Sequence, residues 1–129
     1  EVISPEAKNI KIVKNIESNL YLKVDSDQIL QALINILKNS IQAIEKDGII
    51  EVTLFSVDEG VYIKIKDNGK GIDKENLNKI FNLYYTTKSN GTGIGLSIVN
   101  QIISDHNGKI EVESEPMKGT TVNIFLPKN

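Results

Sequence analysis

The chain of 129 residues contains no cysteine, which excludes disulfides, thiolate chemistry and cysteine-ligated metals and fits a reducing compartment, the cytoplasm. Three prolines and nine glycines are too few for a fibrous or disordered chain. An excess of charge of one sign is missing as well. A net charge of −2 gives no electrostatic reason to expect nucleic acid or an anionic membrane surface as partner. No apolar run is long enough to span a bilayer, and no signal-peptide pattern is present. The first residues are Glu1-Val2 rather than Met, so the chain is expected to be a segment of a longer protein, and any membrane anchor would belong to that parent.

What is present is enough chain, with an ordinary apolar fraction, to bury one core. There is no internal repeat, low-complexity tract or linker, so residues 1–129 are expected to form a single domain. Two β-like runs, Ile10 to Val13 and Leu20 to Val24, flank a turn at Glu17-Ser18-Asn19. A long helix is expected from about Ser26 to Lys46, capped by Asp25 or Ser26 and stopped by Asp47-Gly48. Strands Ile49 to Val57 and Val61 to Lys66 follow, joined in a hairpin at Asp58-Glu59-Gly60. Asp73 predicts the cap of a short helix, Lys74 to Phe81. Residues 82 to 92 are rich in Asn, Ser, Thr and Gly without a clean period, as expected of a mobile loop. A second long helix should start near Gly93 or Gly95 and end at Asn107-Gly108. Lys109 to Ser114 and Thr120 to Leu126 close the chain as a hairpin across Glu115 to Gly119. Strands paired by hairpins, with helices between pairs, imply an antiparallel or mixed sheet covered by helices on one face.

Four short pieces carry chemistry: Asn35 with Asn39, Asp67-Asn68-Gly69-Lys70-Gly71, Thr86-Thr87-Lys88, and Gly91-Thr92-Gly93-Ile94-Gly95-Leu96. On the first helix, Ile29, Leu30, Leu33, Ile34, Ile36, Leu37, Ile41 and Ile44 fill one broad arc at 100° per residue. Gln28, Gln31, Lys38, Gln42 and Lys46 fill the other, with Asn35 and Asn39 near its centre, one above the other. Two such Asn residues either face water or offer amide oxygens to a hard cation such as Mg²⁺. In Val61 to Asp67 the alternation points Asp67 to the core side, where a carboxylate needs hydrogen-bond donors. An adenine amino group is one such donor, and a backbone amide of a plain Asp-Asn-Gly turn is another. Gly91, Gly93 and Gly95 open a helix, as a phosphate site or a flexible hinge would. The P-loop pattern is absent, and the glycines do not follow a strand as a Rossmann fingerprint requires. Lys88 either reaches phosphate oxygens or is solvated, and Phe81, Tyr84 and Tyr85 read as packing anchors of the loop. His106, the single histidine, sits at a helix C-terminus, where a structural role suffices.

Together these residues resemble the ATP-binding catalytic domain of sensor histidine kinases, in the superfamily shared with gyrase-type ATPases and large heat-shock chaperones. Asn35 and Asn39 with Gln42-Ala43 are similar to the family's N box. Asp67-x-Gly69-x-Gly71 matches its first glycine box, Phe81 its phenylalanine box, Gly91 to Leu96 its second glycine box, and Gly119-Thr120 its last. Tyr85-Thr86-Thr87-Lys88 is similar to the nitrogen-regulatory type of sensor kinase. The resemblance implies a two-layer α/β (α+β) sandwich with a mixed, mostly antiparallel sheet and an ATP lid over about residues 82–92. It implies that Asn39, with Asn35, holds Mg²⁺ and that Asp67 accepts from the adenine amino group. Lys38, Gln42, Gly69, Gly71, Ile72, Phe81, Tyr85, Thr86, Thr87, Lys88, Gly91, Thr92, Gly93, Ile94, Gly95, Leu96 and Thr120 would complete the ATP/ADP site, Lys88 also assisting transfer.

The implied activity is transfer of the ATP γ-phosphate to a histidine on a separate dimerisation domain, with a response regulator as partner of the whole kinase. The isolated domain is expected to be a monomer. The chain departs from the family at Asn82-Leu83 and Asn107-Gly108. Ser40 stands where the family often has Ala, and Gln42 where some members place a basic residue. It also lacks the phosphoacceptor histidine, for which His106 is in the wrong context. The related ATPases and anti-sigma serine kinases place a glutamate where this chain has Asn35, which cannot act as a base. A non-enzymatic adapter of the same fold is the remaining alternative, against which the intact glycines and Asp67 argue.

Overall fold

The computed structural model of the chain describes residues 9–81 and 96–128. Five strands form one sheet in the order β1-β2-β3-β5-β4, where β1 is Asn9–Ile16, β2 Asp47–Val57, β3 Gly60–Asp67, β4 Lys109–Glu115 and β5 Gly119–Pro127. Only the β1–β2 pair is parallel; the other three pairs are antiparallel. Parallel neighbours need a crossover, and helix α1, Ser26–Ala43, supplies it. Helices α2, Lys74–Leu77, and α3, Ser97–Asp105, follow β3. Ala32 and Ile36 of α1 and Val99, Ile102 and Ile103 of α3 pack in one cluster with Ile50, Ile63, Ile65, Val122 and Ile124 of the sheet. The expected two-layer arrangement with a mixed, mostly antiparallel sheet is the one observed.

Both expected hairpins form, with β2–β3 turning at residues 58–59 and β4–β5 at residues 116–118. Asp25 caps α1 by accepting from the Gln28 N–H at 3.1 Å, and Asp73 caps α2 by accepting from the Asn76 N–H at 2.8 Å. At the end of α3, Asn107 takes φ 61°, and the Gly108 N–H donates to the Ile103 carbonyl at 2.8 Å, six residues closing back to one.

Four expectations need correction. Leu20 to Val24 is not a strand: its alternation comes from Leu20, Leu22 and Val24 packing against the core while Tyr21 is 82% exposed. The parallel place beside β2 belongs to β1 alone, and the Glu17 N–H makes the last bond, to the Leu54 carbonyl. Helix α1 ends at Ala43 instead of Lys46, because Ile44 turns extended and buries its side chain, while Asp47 and Gly48 pair with Asn9 and Ile10 as the start of β2. The buried stripe of α1 is Ala32, Ile36, Ser40 and Ala43, whose small members let the helix lie close on the sheet; Leu30 and Ile34, placed in the apolar arc, are exposed. Helix α2 stops at Leu77 rather than Phe81, and residues 78–81 form turns that bury Ile80 and direct its carbonyl to the Leu96 N–H. Helix α3 is helical from Ser97; the loop expected over 82–92 and the proposed start at Gly93 or Gly95 lie outside the described residues.

Candidate functional site

Asp67 is the last residue of β3, the middle strand of the sheet, and pairs with Ile50 on one side and Thr120 on the other. The alternation that buries Val61, Ile63 and Ile65 carries Asp67 inward too, and it is 4% exposed. Its Oδ1 accepts from the Gly69 N–H at 2.8 Å and from the Thr120 N–H at 3.3 Å. The Ser40 hydroxyl of α1 donates to the same carboxylate. Burial is the largest influence and pushes the carboxyl above its ordinary value, against the pull of the Gly69, Ser40 and Thr120 bonds.

This carboxylate lies on the wall of a cavity of about 450 Å³ between the helical layer and the sheet. The size suits a small ligand enclosed on most sides. Ile36, Asn39, Ser40 and Ala43 come from α1, Val112 from β4, and Thr120 and Val122 from β5. Lys70, Gly71, Ile72 and Asp73 follow β3, Asn76 is on α2, Leu96 precedes α3, and Pro116 with Met117 forms the β4–β5 turn.

The loop after Asp67 is tied down at each step. The Asn68 side-chain oxygen accepts from the Ile49 N–H at 2.8 Å, and the Lys70 N–H donates to the Ala43 carbonyl at 2.9 Å. Gly71 has φ 75°, and a Cβ on it would overlap the Glu115 carbonyl oxygen. The Ile72 N–H donates to Ser114 Oγ at 2.8 Å, and that hydroxyl also bonds the Gly119 carbonyl and Thr120 Oγ1.

Of the residues singled out in the sequence, Asn39, Asp67, Gly71, Ile72, Leu96 and Thr120 line this cavity. Gly69 stands behind it: its N–H holds Asp67, and a Cβ there would press on Ala43. Asn35 and Lys38 open instead onto a shallow depression on the outer flank of α1, shared with Ile98 of α3. The Gln42 amide oxygen is buried without a hydrogen-bond partner among the described residues. Phe81 packs against the core cluster. Tyr85, Thr86, Thr87, Lys88, Gly91, Thr92, Gly93, Ile94 and Gly95 lie outside the described residues. His106 has the structural role expected of it, with Nε2 accepting from the Asp25 N–H at 3.0 Å and Nδ1 on the Ile102 carbonyl at 2.8 Å.

Sequence reasoning missed Ser40, Lys70, Asn76, Ser114, Pro116 and Met117 as site residues. Two of them had a signal. Ser40 is a polar residue four beyond Ile36 on the buried stripe, and Ser114 continues the inward alternation of Ile110 and Val112. Among the described residues no group of three His, Cys, Asp or Glu could hold a metal by itself. Asn39, whose side chain has no hydrogen-bond partner among those residues, fits Mg²⁺, which takes one or two protein oxygens and completes its shell with phosphate and water.

The family of histidine kinase-, DNA gyrase B-, and HSP90-like ATPases matches residues 24–129. Sensor histidine kinase ZraS of Escherichia coli (strain K12) is 39% identical over 132 residues, which cover 100% of this chain and 28% of ZraS. Sporulation kinase A of Bacillus subtilis (strain 168) is 36% identical over 112 residues, 87% of this chain and 18% of that kinase. The chain thus spans under a third of the length of these curated relatives. Among solved structures, the catalytic domain of histidine kinase ThkA superposes with a TM-score of 0.83 at 35% identity, over 93% of this chain and 80% of that one.

Proposed function

Since the chain belongs to the histidine kinase-, DNA gyrase B-, and HSP90-like ATPase family, we propose that it is the Mg-ATP-binding catalytic domain of a sensor histidine kinase. In this role it donates the γ-phosphate to a histidine on a dimerisation domain of the same parent protein, which then serves a response regulator. The parent's catalytic part works in the cytoplasm, and residues 1–129 form one domain with its lid over about 82–92. The observation that carries the proposal is the buried Asp67 carboxylate on the wall of a ligand-sized cavity.

That carboxylate is an acceptor on the wall of a recess whose lining is mostly apolar, and an adenine amino group is the donor it suits. Ile72 and Leu96 flank the same space and supply apolar contact for the purine. Asn39 lies on the same wall of α1, where its amide oxygen would hold Mg²⁺, with Asn35 one helical turn away. When bound, Mg²⁺ neutralises charge on the phosphates and fixes their orientation. Lys38, Gln42, Thr86, Thr87, Lys88, Gly91 and Gly93 are the candidates for the phosphate tail. The domain itself supplies position and electrostatics, and the transfer is completed on another domain. Asn35, standing where related ATPases carry a water-activating glutamate, cannot itself act as a base, so the isolated chain should hydrolyse ATP very slowly.

Calorimetric titration with a non-hydrolysable ATP analogue, in Mg²⁺ and in EDTA, tests the proposal. Micromolar to sub-millimolar binding is expected, abolished in Asp67→Ala and stripped of its Mg²⁺ dependence in Asn39→Ala. No binding by the wild-type chain would leave the adapter as the better description.

A further inference from the structure

We propose that Met117, on the β4–β5 turn, closes against the purine of the bound nucleotide and sets affinity for it, a role that rests on the nucleotide assignment above. Met117 is the single methionine of the chain, and it is 83% exposed although it lines the cavity that holds Asp67. Its φ of 67° lies in the left-handed region, which a long side chain adopts only against steric resistance. Two contacts hold it there. The Met117 N–H donates to the Lys70 carbonyl at 2.6 Å, and the Glu115 carbonyl abuts Gly71. The turn is therefore fastened to the loop that follows Asp67, and Met117 is carried at a set height beside the cavity.

A turn that only reverses two strands would do better with glycine, which takes this φ without strain. Strain kept at a cavity rim is a pointer to function. What methionine adds is a flexible, polarizable thioether suited to contact with a flat aromatic ring. An apolar side chain left in water beside an apolar recess is buried again only when the recess fills. The partner is the base rather than the phosphate tail, because the loop carrying Met117 is bonded to the Asp67–Ile72 segment, on the base side of the site.

The test compares the wild type with Met117→Gly, Met117→Ala and Met117→Leu, titrated with ATP and with adenosine. Met117→Gly should melt higher by about 2–4 °C through release of the left-handed strain. It should nevertheless bind ATP and adenosine more weakly by the same factor, about two- to tenfold. Met117→Ala should show the same loss of affinity without the gain in melting temperature, and Met117→Leu should stay within about twofold of the wild type. A structural role alone would move the melting temperature and leave both affinities untouched, and that result overturns the assignment. Loss for ATP but not for adenosine overturns it as well. Failure of the wild type to bind either ligand overturns the nucleotide assignment and this one together.

Discussion

At the scale of single residues, Asp67 separates what the fold needs from what the ligand needs. Both backbone donors, Gly69 and Thr120, meet Oδ1. An asparagine could therefore keep these bonds with its amide oxygen and turn its amide nitrogen to the Ser40 hydroxyl, which can accept. The charge is what burial opposes. Because the folded-state carboxyl lies above its ordinary value, the folded chain holds this proton more tightly than the unfolded one. Stability at this site therefore falls as pH rises from the unfolded carboxyl's value through the folded one, and stays lower above it. Asp67→Asn should accordingly keep or raise the urea midpoint at pH 7. ATP affinity should move the other way, dropping about tenfold or more with the loss of a charge-assisted bond. In the wild type, affinity should also weaken as pH falls through the raised carboxyl value, and that dependence should vanish in Asp67→Asn. A variant that unfolds more easily at pH 7 yet binds ATP normally would contradict both halves of this account. The position of Asp67 was legible because a period of two cannot be satisfied on the wrong face. Ser40 was less so, because a broad apolar arc drew attention away from the narrow stripe of small residues on which it lies.

At the scale of elements, the hairpins and helix caps were legible because each depends on neighbours in sequence: Asp25, Asp73 and Asn107 act on groups within a few positions. Asp47-Gly48 misled because the same pair can end a helix or begin a strand, and only the distant Asn9–Ile16 segment decides which. Gly48 has a different reason to be glycine, since a Cβ there would run into the Ile44 side chain. Gly71 is more constrained, with a positive φ and a backbone carbonyl in the place of its absent Cβ. A side chain can rotate away, whereas the Glu115 carbonyl belongs to the end of β4. Gly71→Ala should therefore cost about 2–4 kcal/mol, against about 1–2 kcal/mol for Gly48→Ala. Urea denaturation of both variants checks the order, and a Gly48→Ala cost equal to or above that of Gly71→Ala would rule this explanation out.

At the scale of the whole molecule, the strand order was the least legible property. Two of its four neighbour relations, β1–β2 and β3–β5, lack a short turn's signature, and the parallel β1–β2 pair spans all of α1. That topology nonetheless builds the site, because it sets the end of β3 between β2 and β5 and brings α1 across it. Ile36, Leu96 and Val122 belong to the core cluster and line the cavity, so the ligand's walls are also the domain's interior. A ligand that binds only the folded chain should then stabilise it as one unit, by about 2.7 kcal/mol at a free concentration a hundred times its dissociation constant. Thermal unfolding with increasing ATP in Mg²⁺ should show one transition that climbs with the logarithm of ATP concentration. The climb should shrink in EDTA and disappear in Asp67→Ala. If ATP instead split the melt into two transitions, or shifted Asp67→Ala as far as the wild type, the cavity and the core would be separable, and the site would have to be sought on another part of the fold.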